Sequence, residues 1–198
     1  MSRVHAAADV RRNQITAALI ELSAEVDPCS ITTSQIAARM GVSHSAIFRH
    51  VPTKQSMWDA ALEWTSLELN RRFDELDSAA PMARLEAMFQ AHLAFVVENP
   101  GVPRILFGEL QRFETTPAKN AVGRLLGGYR MRVAEELERA RELEQLPAST
   151  DVVSASIMFL AMVQGLVMQG VIANDLAGMS ERGMRLLALF RTAIGFQP

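Results

Sequence analysis

The chain has 198 residues, of which 49% are apolar, and its 20 Lys/Arg against 22 Asp/Glu leave a net charge of −2. That length and apolar content bury a sizeable core, which excludes a disordered chain. The near-neutral charge excludes a uniformly basic nucleic-acid binder, and the single cysteine, Cys29, excludes an internal disulfide framework.

Residues 9–26 read as a first helix, with Ile15, Ala18, Leu19, Leu22 and Val26 on one face. Asp27-Pro28 ends it. The next stretch, Thr32 to Lys54, reads TTSQIAARMGVSHSAIFRHVPTK. Thr32 and Gln35 have the spacing of a capping box. Ile36, Ala37 and Met40 give the following helix an apolar face. Gly41 stands where a left-handed residue must end that helix. Val42 plugs the corner, Ser43 suits the N-cap of a second helix, and Ile47 points back at the first. This is the arrangement of a helix-turn-helix. The second helix keeps an exposed polar face of His44, Ser45, Arg49 and His50.

A long helix follows from Thr53 to about Asp77, with Trp58, Leu62, Thr65, Leu69, Phe73 and Leu76 on one stripe. Ser78 to Pro81 is a joint. Residues 82–98 form a helix with Leu85, Met88, Phe89, His92 and Val96 inward, and Asn99-Pro100-Gly101 ends it. A short helix, about 102–113, carries Leu106, Phe107, Leu110 and Phe113. Thr116-Pro117 starts a longer one to about Leu146, with Val122, Leu125, Tyr129, Val133, Leu137 and Ala140 inward. Its outer face alternates Glu and Arg, as Glu135 with Arg139, in the manner of a solvated helix.

Pro147 breaks this helix, and Ser149 or Thr150 is positioned to cap the next one. Residues 152–174 carry no charge. The length suits a bilayer, but Ser154, Ser156, Gln164, Gln169, Asn174 and two glycines favour a helix buried on several sides. A last helix covers about 179–195. The expected fold is all-α with about nine helices, a three-helix head at 1–54 and a larger helical body at 55–198. The head carries six Arg/Lys against four Asp/Glu, so the positive charge is concentrated there.

The segment Thr32-Thr33, Ile36-Ala37, Gly41-Val42-Ser43, Ile47-Phe48-Arg49-His50 and Lys54, followed by Met57-Trp58, resembles the DNA-binding head of the TetR family of transcriptional repressors. The resemblance covers roughly residues 10–65. Two positions depart from the family pattern. Phe48 stands where the family usually has Tyr, which removes a hydroxyl contact to phosphate, and Val51 stands where Phe is common.

Arg49 is the side chain able to fork onto guanine O6 and N7. His44, Ser45 and Ala46 (through a thymine methyl) complete the expected base readers. Thr33, Ser34, Ser43, Phe48, His50 and Lys54 are expected at the sugar-phosphate backbone. Arg3, Arg11 and Arg12 either meet phosphate or form a solvated basic end. Two heads would read half-sites roughly 34–36 Å apart on a near-palindromic operator.

The uncharged helix needs two apolar neighbours. Ala161, Gly165 and Gly170 let a second chain approach, and with Met184, Leu187, Ala188 and Ile194 of the last helix they suggest a homodimer interface. The resemblance implies a cavity in the body for a small ligand. Its expected lining is Met88, Phe89, His92, Phe107, Leu110, Tyr129, Met158 and Met162, which suits an apolar or aromatic molecule. His92 reads either as a core residue or as a polar anchor of that cavity. Gly101, Pro103 and Gly108 are expected places for movement.

The sequence has no Gly-rich phosphate loop, no nucleophile elbow and no cluster at metal-ligand spacing, so no enzyme, cofactor or metal is expected. The N-terminal stretch carries no apolar signal segment, and a cytoplasmic protein is expected. The leading expectation is a ligand-released repressor of double-stranded DNA. The alternative is a DNA-binding dimer with no small-molecule input, architectural or controlled by a protein partner.

Overall fold

A computed structural model describes residues 3–49, 51, 53–77 and 80–197, without the side chains of residues 3–9 and Phe48. Among them are nine α-helices and no strand: α1 Arg3–Glu25, α2 Thr33–Met40, α3 His44–Phe48, α4 Lys54–Asp74, α5 Pro81–Glu98, α6 Gly101–Leu110, α7 Pro117–Glu142, α8 Val152–Ile172 and α9 Met179–Ala193. A single 3-10 turn, Pro28–Ser30, links α1 to α2.

The chain divides into two compact units. The first holds Met1–Glu68 and Asn99–Val122, the second Leu69–Glu98 and Gly123–Pro198. This division does not follow a single cut at residue 54. α4 begins in the first unit and ends in the second, and α6 joins the first.

In the first unit, α1 packs on both α2 and α6. Ile15, Leu19 and Leu22 of α1, Ile36 and Ala37 of α2, Ile47 of α3, and Met57, Ala61 and Leu62 of α4 are all buried. Each large apolar side chain so buried contributes roughly 1.5–3 kcal/mol. Val26, expected on that stripe, is 37% exposed. α6 buries Val102, Pro103 and Ile105, and Phe113 lies wholly in solvent beyond its end. Glu109, near the end of this helix, is buried and accepts a hydrogen bond from the Thr116 hydroxyl.

Gly101 packs tightly against α1. A Cβ there would lie 1.9 Å from the Ile20 carbonyl oxygen and 3.0 Å from the Ser23 Cβ. The first turn of α6 thus presses directly on the α1 backbone.

The second unit is built around aromatic rings. Phe159 of α8 meets Phe89 edge-on at 5.5 Å, Phe190 at 5.6 Å and Tyr129 at 6.2 Å. α9 approaches α5 closely at Gly183, where a Cβ would lie 2.5 Å from Leu93 Cδ1. Arg84 donates to the Leu76 and Phe73 carbonyls at 2.7 and 3.3 Å, meeting the open carbonyls at the end of α4. Its Nε also faces the buried Glu136 at 3.3 Å.

Arg139 donates to Glu136, one turn back along α7, at 2.8 Å. Several local expectations change. α7 stops at Glu142 because Glu144 turns into the left-handed region at φ 58. Asp151, not Ser149 or Thr150, caps α8 by accepting from the Ser154 N–H at 3.0 Å. α8 is long and apolar enough to cross a membrane, yet 44% of its most apolar window is buried inside the protein. It covers the core with one face and leaves another apolar face in solvent, so it is not enclosed on several sides.

Replacing Gly101 by Ala should lower stability by about 1–3 kcal/mol, the usual cost of overpacking. Thermal unfolding would check this. An unchanged melting temperature would mean that α6 is free to shift away from α1.

Candidate nucleic-acid interface

The helix-turn-helix forms from strictly local causes. The Gln35 N–H donates to the Thr32 hydroxyl at 3.2 Å, and the Thr32 N–H donates to Gln35 Oε1 at 2.8 Å, closing the capping box. Gly41 takes φ 65, and its N–H and that of Val42 return to carbonyls of the last turn of α2. Ser43 is the extended N-cap of α3. Its hydroxyl pairs with Ser45 at 3.1 Å instead of capping the backbone. Ile36, Ala37 and Ile47, at 1%, 3% and 1% exposure, form the seam between the two helices.

This seam turns the polar face of α3 outward. His44, Ser45 and Arg49 are exposed, and Ala46 is half-buried. Arg49 is the C-cap residue, and no acid pairs with it among the described residues. Thr33 is half-buried, and Ser34 and Ser43 are exposed. Phe48 as a side chain, and His50 altogether, lie outside the described residues.

Three contacts were not legible in sequence. Thr33 Oγ1 and His44 Nε2 share a 2.6 Å hydrogen bond, so one expected backbone contact holds one expected base reader. The Lys54 ammonium donates to the Cys29 carbonyl at 2.6 Å and sits 5.9 Å above the Trp58 ring. It ties the 3-10 turn to the start of α4, and two of its three donors remain. Arg39 is held by Glu25 at 2.5 Å and Glu21 at 3.5 Å. The Arg39 hydrogen bond holds the exposed Glu25 carboxyl below its usual range. That pairing takes Arg39 out of the supply of cations for DNA.

The expected pocket residues fall in both units. Phe107 and Leu110 belong to the first, half-buried and 40% exposed respectively. In the second unit, Met88, Phe89 and Tyr129 are buried, His92 and Met162 are half-buried, and Met158 is 37% exposed. The His92 and Tyr129 rings are neighbours, with centroids 5.6 Å apart. His92 Nδ1 and the Tyr129 hydroxyl are sealed from solvent without a hydrogen-bond partner. Burial pulls the His92 pKa down to about 4 and pushes the Tyr129 phenol up.

The expected subunit contact divides likewise. Ala161, Gly165, Met184 and Ala188 are exposed on the outer face of α8 and α9. Gly170, Leu187 and Ile194 lie inside the protomer instead. A Cβ on Gly170 would meet Met179 Sδ at 2.9 Å, so its smallness serves α9 of the same chain. Val153, Ile157, Met168, Ile172 and Leu189 extend the exposed apolar face and were missed. The spacing 153, 157, 161, 165, 168, 172 along α8 was the available signal.

A helix-turn-helix presenting a polar second helix, within an all-helical chain, defines a DNA-binding regulator fold. No family profile matches the chain. The nucleoid occlusion factor SlmA of Vibrio cholerae serotype O1 is 31% identical over 155 residues, 75% of this chain and 78% of that protein. Among solved structures, a TetR transcription regulator from Haloarcula marismortui superposes with TM-score 0.83 at 16% identity, covering 96% of this chain and all of that one. The regulator FadR from Bacillus subtilis, solved with stearoyl-CoA, gives TM-score 0.70 at 19% identity, covering 88% and 96%. The chain belongs to the TetR family of transcriptional regulators.

His92 sets a pH dependence of stability. Its folded pKa, about 4, lies below the unfolded value of 6.5, so the unfolded chain takes up the proton first. Stability is full above pH 6.5 and falls as pH drops towards 4, at up to about 1.4 kcal/mol per unit. Between pH 6.5 and 5, ahead of carboxylate titration, His92→Leu should flatten the slope in denaturant unfolding. An equally steep slope in the variant would assign it to another group.

Proposed function

We propose that two copies of this chain pair through the outer face of α8 and α9 and place their α3 helices in successive major grooves of a near-palindromic operator. The observation that carries this reading is the outward polar face of α3, with Arg49 unpaired beside a seam that fixes its direction. Arg49 reads guanine, and His44, held by Thr33, reads beside it with Ser45 and Ala46. Ser34, Ser43, Phe48, His50 and the spare Lys54 donors position the backbone. The exposed side chains Val153, Ile157, Ile172 and Leu189, at 49–71% exposure, supply the apolar contact that a second subunit covers.

Regulation follows as a population shift. A small ligand in the second unit favours a conformation whose heads are wrongly spaced for the operator, and transcription is released. The ligand must bind that conformation more tightly than the DNA-competent one. α4 passes from one unit to the other and supplies the continuous element for such coupling.

A second reading is favoured by one observation. The relatives matched over most of this chain are named as nucleoid occlusion factors. On that reading the dimer binds many chromosomal sites, and its control comes from a protein partner. Mapping bound sites along the chromosome separates the two. A few promoter sites support the repressor, and sites spread over the chromosome support occlusion.

Arg49→Ala should cost about 1–3 kcal/mol on the operator and relax preference at one base pair per half-site, measured by anisotropy at fixed salt. Equal losses on operator and random DNA would remove Arg49 from the base readers. Ile157→Asp should give a monomer by sedimentation, because the charge would be buried at the subunit contact. A variant that stays dimeric would move the interface elsewhere.

A further inference from the structure

Four buried side-chain atoms of the second unit have no hydrogen-bond partner among the described residues, namely His92 Nδ1, the Tyr129 hydroxyl, Gln145 Oε1 and Arg191 Nε, and the first two sit on adjacent rings. Tyr129 is 1% exposed and packed 4.6 Å from Phe73 and 6.2 Å from Phe159, centroid to centroid. Phenylalanine would fill that space equally well without burying a hydroxyl. An unpaired hydroxyl in such surroundings destabilises the fold, so its presence calls for a partner. His92 Nδ1, on the next ring, has the same need.

The chemistry of that partner is constrained by charge. With its pKa pulled down to about 4, His92 is neutral near pH 7, and burial keeps the Tyr129 phenol protonated. Of the charged groups of α5 and α7, Glu86 pairs with Arg191, Glu98 with Arg72, Arg132 with Asp74, Glu138 with Arg141, and Glu136 with Arg84 and Arg139, while Arg124, Arg130, Glu135 and Glu142 are exposed. A carboxylate or ammonium delivered to the two rings would be buried without a counter-ion. A neutral oxygen has the right chemistry for both atoms. A hydroxyl accepts from Tyr129 and donates to Nδ1 when the imidazole proton is on Nε2. A carbonyl accepts from both when the proton is on Nδ1.

We propose that Tyr129 and His92 form the polar end of a ligand site whose occupant is an uncharged apolar or aromatic molecule bearing one hydroxyl or carbonyl oxygen. The apolar remainder of the ligand would lie against the neighbouring Phe89 and Phe159. The consequence for DNA rests on the ligand-released reading above, whereas the binding chemistry stands apart from it.

The test uses the full-length protein at pH 7.5 with three probes, 2-naphthol, 2-naphthoate and naphthalene, measured by calorimetry. 2-Naphthol should bind about tenfold or more tightly than either of the others. Tyr129→Phe should remove most of that preference while leaving naphthalene unchanged. The same variant, free of ligand, should melt at or above the wild-type temperature, since it discards an unpaired hydroxyl.

Failure of 2-naphthol to bind, equal binding of 2-naphthoate, or an unaltered preference in Tyr129→Phe overturns the proposal. So does a lower melting temperature in Tyr129→Phe, because it would mean that the hydroxyl already has a partner such as a trapped water. Operator affinity with and without 2-naphthol separates the two claims. Binding that leaves operator affinity unchanged removes ligand release and keeps the site. Release that persists undiminished in Tyr129→Phe keeps ligand release and removes the site.

Discussion

The seam of Ile36, Ala37 and Ile47 across the Gly41 turn is the contact on which the rest depends. α3 is five residues long, too short to hold a helical shape alone in water. Its conformation is therefore borrowed from α2. The small Ala37 allows close approach, and Gly41 takes the left-handed turn at φ 65 without strain. The seam decides which side of α3 faces outward, and the proposed base reading rests on that side. The Thr33–His44 bond adds a second tie across the same pair of helices.

The same unit includes a helix that comes late in sequence. α6 reaches back to α1, and Gly101 lets two backbones touch where any side chain would collide with Ile20. A chain folded this way does not have a head that ends where its motif ends. The chain crosses from one unit to the other within α4, before α6 and within α7. The second unit is a different kind of object, an aromatic core with the unpaired polar atoms of His92 and Tyr129 on neighbouring rings inside it and an apolar face left outside. Both are departures from what a self-sufficient domain would choose. We read the first as a ligand's place and the second as a subunit's.

Local chemistry was the most legible part of the sequence. The capping box, the left-handed glycine and nine helices follow from residues within a few positions of one another, and the structure has them. What needed tertiary neighbours was not legible. Gly165 and Gly170 are the same residue on the same helix. Leu176 and Met179 enclose Gly170, whereas Gly165 faces open space. α8 is apolar on more than one side, so its periodicity could not say which face meets α9 and which meets water. Lys54 read as a phosphate contact, and the carbonyl that holds it, on Cys29, is 25 residues away in sequence. His92 read first as a core residue and second as an anchor, and sequence spacing could not show that the Tyr129 ring lies beside it.

Selection of bound sequences from a random DNA pool, at one stated salt concentration, tests the central claim most directly. Two α3 helices carried by one dimer must recover a near-palindrome, with half-sites about one helical turn or somewhat more apart. A pool that stays unenriched, with binding that only fades as salt rises, would contradict sequence reading by α3 and leave a protein that holds DNA by its backbone alone.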